Sequence, residues 1–118
     1  MNRKIWGQLL SKDLYDCDLE MLTNKKKLGE FCLALCKEIK MVPYGKPIVK
    51  RFGEGSIEGN SAVQLIQTSN ITVHCDEVDN RAFIDVFSCK RFSAPQGRKF
   101  CQKAFKAKRM KYTNTYRG

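Results

Sequence analysis

Between Asn60 and Cys89 the chain makes three β-like runs, Asn60–Thr68, Asn70–Cys75 and Arg81–Cys89, with almost nothing between them. One residue separates the first two, and a short turn containing Asp76, Asp79 and Asn80 separates the last two. Parallel neighbours need a crossover of about a dozen residues, so connections this short leave only antiparallel pairing. Asp and Asn suit such turns because their side chains bond to their own backbone. A sheet of this kind is therefore the frame into which the rest of the chain must fit.

The remaining segments supply its other strands and a cover. Ile5–Asp16 reads as a first strand, Lys46–Phe52 as a second and Met110–Tyr116 as the last. Leu28, Phe31, Cys32, Leu35, Cys36 and Ile39 recur at helical spacing and make one apolar stripe, ended by Pro43 and Gly45. A second helix is expected from about Pro95, a good first-turn residue, to Lys108, burying Phe100, Cys101, Ala104 and Phe105. Two amphipathic helices covering one face of a mostly antiparallel sheet make an α+β, two-layer sandwich. Residues 1–118 form a single domain on this reading, and the face left uncovered predicts a homodimer. Gly53–Gly59 is a flexible loop, but Glu54 and Glu58 would repel a phosphate, so it is read as a loop beside the site.

Composition narrows the function. The net charge of +10 is gathered at one end: residues 90–118 hold ten Lys/Arg and no acid, while residues 1–89 balance. Such a segment can contact a polyanion or form the solvated side of a closing helix and strand. No stretch reaches the roughly 18 apolar residues of a membrane span. The opening Met1–Trp6 has no apolar signal core, which predicts a cytoplasmic protein with its six cysteines as free thiols. Cys32 and Cys36 are spaced like a metal pair yet lie on the apolar stripe, and one histidine cannot build a typical zinc site, so no metal is expected.

His74 is the sole histidine and the obvious base near neutral pH. It follows Ser69 by five residues, Ser61 precedes Ser69 by eight, and Cys89 ends the next run. Around these residues the order Gly7-Gln8-Leu9-Leu10, Tyr15-Asp16-Cys17-Asp18, Asn60-Ser61-Ala62-Val63, Asp85-Val86-Phe87-Ser88-Cys89 and Ala104-Phe105-Lys106-Ala107-Lys108-Arg109 resembles the small prokaryotic S-adenosylmethionine decarboxylases along nearly the whole chain. Removing CO₂ from an α-amino acid needs an electron sink that no ordinary side chain offers. The resemblance implies that Ser69 supplies it as a pyruvoyl group, made by self-cleavage after Thr68 into chains 1–68 and 69–118. It further implies that His74 promotes the elimination, that Ser61 assists processing, and that Cys89 returns a proton to the substrate carbon. The product would be the aminopropyl donor for spermidine, and members of the family pair two protomers.

Against the family pattern, Thr68 replaces a glutamate, Asn70 a histidine, and Cys75-Asp76-Glu77-Val78 the segment Thr-Trp-Pro-Glu. The glycine-rich loop also lacks the aromatic expected to stack on adenine; Trp6 or Phe52 would have to replace it. Asp76 and Glu77 are the candidate substrate-binding carboxylates. The altered pocket leaves two alternatives: the same chemistry on a smaller cationic amino acid, arginine or ornithine, or an unprocessed, non-catalytic homologue acting as a partner or polyanion-binding protein.

Overall fold

Alternating strands and striped helices separate into two layers in the computed structural model, which describes residues 4–118. The first three residues of the hexapeptide read for a signal core lie outside it. The strands are β1 (Gly7–Tyr15), β2 (Ile48–Phe52), β3 (Gly59–Ile66), β4 (Ser69–Asp76), β5 (Arg81–Ser88) and β6 (Arg109–Arg117). They form one sheet in the order β2-β3-β4-β5-β1-β6, antiparallel at every pair. Each expected strand is present with its ends moved by a residue or two. The first strand, far from β5 in sequence, lies between β5 and β6.

The helices are α1 (Leu19–Thr23), α2 (Lys25–Glu38) and α3 (Ala94–Ala104). Where two were expected there are three among the described residues, because Asp18 and Asn24 each accept a backbone N–H and start a separate helix. Both longer helices stop before their predicted ends. In α2, Lys40 takes a φ of 60° and the Met41 N–H returns to the Cys36 carbonyl; in α3, Lys106 takes 51° and the Ala107 N–H returns to Gln102. These are Schellman endings with lysine where glycine is the usual signal. The second helix therefore ends at Ala104 rather than Lys108.

The core lies between these layers. Leu14, Ile71, Val73, Ala82, Ile84 and Val86 on the sheet meet Leu28, Phe31, Cys32, Leu35, Cys36 and Ile39 of the α2 stripe and cap, with Cys101 of α3 and its cap residue Phe105. Phe31 anchors the helix pair, edge-on to Phe105 at 4.9 Å and stacked on Phe100 at 6.1 Å. Gly97 lets α3 settle on the sheet, since a Cβ there would stand 3.1 Å from Leu10. Burial pushes the thiols up, Cys17 and Cys36 to about 11 and Cys32 and Cys75 to about 12, so they pack as small apolar groups. No helix among the described residues is long and apolar enough to cross a membrane.

The opposite face of the sheet is uncovered. The strand registers place Leu9, Ser11 and Asp13 of β1, Thr72 and His74 of β4, and Phe83, Asp85 and Phe87 of β5 on it, none of them fully buried. Trp6 lies against Phe87 there, with ring centroids 5.8 Å apart.

Candidate functional site

Gln67 and Thr68 alone join β3 to β4, with Ile66 paired to Ser69 across the turn. Two-residue hairpins favour turns with positive φ, whose twist matches that of the strands. Neither turn residue has one; the reversal is absorbed at Ser69, whose φ is 154°. Glycine visits that region freely, whereas a serine held there stores about 1–3 kcal/mol of strain. The strain thus falls on the residue just after the Thr68–Ser69 peptide bond.

The same bond is held from the end of β5. The Cys89 N–H donates to the Thr68 carbonyl at 2.9 Å. The Ser88 hydroxyl donates to Thr68 Oγ1 at 2.7 Å and accepts the Lys90 N–H at 2.9 Å. Thr68 in turn points its own hydrogen at Met41 Sδ, 3.5 Å away. An N–H already on a carbonyl oxygen polarises that carbonyl and can hold the negative charge that attack would place on it. Thr68, Ser69 and Cys89 are therefore gathered at one end of the sheet.

Ser61 and His74 face each other across β3 and β4, with Ser61 Oγ 2.9 Å from His74 Nδ1. Beside His74 is an open hollow of about 400 Å³, lined by Ser56, Ile57 and Glu58 of the loop and by Asp76, Arg81 and Phe83. Arg51 closes its rim: Nε bonds to Glu58 at 2.7 Å, and Nη1 and Nη2 both reach the Glu77 carboxylate. Of the two expected substrate carboxylates, Asp76 lines the hollow while accepting from Arg81 Nε at 2.8 Å, and Glu77 is turned to Arg51. Phe52, 60% exposed, ends β2 opposite Gly59. A Cβ at Gly59 would strike the Cys75 carbonyl, so this corner stays free of a side chain.

Within one chain these residues form two clusters, not one. Ser69 and His74 lie five residues apart along an extended strand, which spans roughly 16 Å. Arg51 and Met41 went unnoticed in the sequence, since no motif marks them, and Ser88 stood inside the Asp85–Cys89 motif with no role of its own. The registers of β4 with β5 and of β2 with β3 place Ser88 and Arg51, and the ending of α2 places Met41. The basic segment is spread over α3 and β6. Lys106, Arg109 and Lys111 pair with Asp18, Asp16 and Asp13, and Arg91 and Arg98 stack on Tyr116 and Tyr112.

Residues 8–118 match the family model described as S-adenosylmethionine decarboxylase. The chain is 33% identical to the S-adenosylmethionine decarboxylase proenzyme of Sulfurisphaera tokodaii, over 78% of this chain and 71% of that one. It is 30% identical to the proenzyme of Caldicellulosiruptor saccharolyticus, over 95% and 88%. The crystal structure of the adenosylmethionine decarboxylase from Aquifex aeolicus superposes with a TM-score of 0.83 at 22% identity, over 98% of this chain and 92% of that one, and so shares its fold. These relatives are named for S-adenosylmethionine, and the alternatives of arginine and ornithine find no support in them.

Proposed function

The chain belongs to the S-adenosylmethionine decarboxylase family, and from that premise we propose that it is a decarboxylase of S-adenosylmethionine that cuts itself between Thr68 and Ser69. The observation that carries this reading is the geometry of that bond: a strained serine follows a carbonyl already held by the Cys89 N–H. Ser69 Oγ attacks the Thr68 carbonyl carbon, the oxygen's developing charge falls on the Cys89 N–H, and the amide gives way to an ester with the Ser69 nitrogen freed. A base then takes the Ser69 α-proton, the ester C–O bond breaks, and Thr68 leaves as a carboxylate. Water displaces the nitrogen as ammonia and leaves a pyruvoyl group at the head of residues 69–118. These residues fit that group, because the reaction also releases the strained linkage at Ser69. Once formed, the group supplies the electron sink for loss of CO₂.

His74, oriented by Ser61, is the base with the right chemistry, yet it stands too far along β4 to reach Ser69 of its own chain. Pairing two chains through their uncovered sheet faces would bring His74 of one copy to Ser69 of the other. Cys89 is assigned the return of a proton to the substrate carbon. Phe52 and Trp6, both exposed and both associated with the open face, are the aromatics available to adenine, and Asp76 is the carboxylate best placed for its ribose. The product would feed spermidine synthesis, and the free thiols suit a reducing cytoplasm.

Intact-protein mass tests the cleavage. The purified chain should give two species, 1–68 and 69–118, with the second lacking a free α-amine. Ser69→Ala should remain whole, and the cleaved protein should release CO₂ from S-adenosylmethionine. A single full-length mass after prolonged incubation would show that the chain is an unprocessed homologue.

A further inference from the structure

We propose that Ser88 is a positioning residue for self-cleavage, acting through the Thr68 hydroxyl; this rests on the reading of Ser69 as the cleavage point. Ser88 is fully buried, and its hydroxyl bridges the Lys90 N–H beyond β5 to the side chain of the residue before the scissile bond. Its oxygen accepts the Lys90 N–H, which fixes the rotor, and its hydrogen goes to Thr68 Oγ1. Met41 Sδ is the other acceptor within reach, at a weaker 3.8 Å. The relay therefore has a direction: Lys90 N–H to Ser88, Ser88 to Thr68, Thr68 to Met41.

Thr68 is thus held at two points on either side of its Cα. Cys89 N–H pins the carbonyl oxygen and Ser88 pins the side chain. Together they fix the plane of the carbonyl, and so the face it offers to the hydroxyl of the next residue. Intramolecular attack depends steeply on such orientation. With Ser88 silent, the Thr68 side chain keeps only its weak contact to Met41 Sδ, and the carbonyl can swing about the Cys89 bond. The relay gives this core serine bonded partners, without which burying its hydroxyl would be unfavourable.

The experiment follows the appearance of the two fragments with time after refolding the full chain. Ser88→Ala and Thr68→Val, which each remove one hydroxyl, should each slow cleavage about tenfold, the size expected for one buried hydrogen bond. The double variant should be no slower than the slower single one, because both break the same contact. Ser88→Thr, which restores the hydroxyl, should cleave within about threefold of the wild type. In the uncleavable Ser69→Ala background, Ser88→Ala should also speed hydrogen exchange at the Cys89 amide while leaving β1 amides unchanged. Should Ser88→Ala fold poorly, the half-buried Thr68→Val carries the test alone. Wild-type pace in Ser88→Ala and Thr68→Val overturns the proposal, and so does equal slowing in Ser88→Thr. If the unmutated chain never splits, the cleavage reading itself falls and this one with it; if it splits and the variants keep pace, only this one does.

Discussion

Lys12 lies on the helix-facing side of β1, fully buried, with its Nζ near the Cys101 thiol but without a hydrogen bond of ordinary geometry among the described residues. Burial holds its ammonium well below the usual lysine range, partly offset by the Cys101 thiol and the Asp85 carboxylate nearby. Its folded-state pKa is lowered, so on acidification the unfolded chain takes up a proton before the folded one does. Stability therefore falls as pH drops from about 10.5 towards the folded value. Lys12→Met should raise stability at neutral pH by about 1–3 kcal/mol, the usual cost of a buried unsatisfied group. Its advantage should shrink as pH approaches 10.5, read as paired urea melts of both proteins. Phe52 bears on substrate instead: if it carries the adenine, Phe52→Ala should raise the KM for S-adenosylmethionine at least several-fold, from a stacking contribution of roughly 1–3 kcal/mol. Cleavage at Ser69 should continue at its normal rate. An unchanged KM would pass the platform to Trp6.

At the scale of elements, the site depends on which segments the sheet brings into contact. Arg51 ties the end of β2 to the glycine-rich loop and to the β4–β5 turn through Glu58 and Glu77. Exposed ion pairs add little to stability, about 0–1 kcal/mol each, so the bridge matters as a restraint on the rim of the hollow. Arg51→Ala should leave the melting temperature almost unchanged while raising KM several-fold, with kcat close to normal. A fall in kcat at constant KM would place the loop's role elsewhere. The strands were legible because alternation and short turns leave one solution. The helix ends were not, since Lys40 and Lys106 hold left-handed positions that glycine normally announces.

For the whole molecule, the proposed pairing of two chains would cover the open sheet face and join the two clusters. If each site takes Ser69 and Cys89 from one chain and His74 from another, two dead variants can repair each other. Ser69→Ala and His74→Ala should each stay uncleaved or nearly so alone. Refolded together, they should yield cut His74→Ala chains, because a mixed pair contains one intact site. Light scattering at micromolar concentration should give about twice the chain mass, and Phe87→Asp on the open face should lower it. Absence of cleavage in the mixture, with mixed pairs demonstrated, would confine the chemistry to one chain.

Ser61, Ser69, His74 and Cys89 were readable as candidates because their spacing along the chain carries a family pattern, and the antiparallel sheet followed from connections too short for any other pairing. Spacing could not tell that Ser69 and His74, neighbours in sequence, are kept apart by the extended backbone between them. Nor could it tell that Ser88, which stands in a motif but carried no role there, would meet Thr68 from twenty residues away. Local sequence determined the elements through periodicity and turn chemistry, which act over a few residues. Tertiary structure alone decided the register of one strand on the next, and that register sets which hydroxyl reaches which carbonyl.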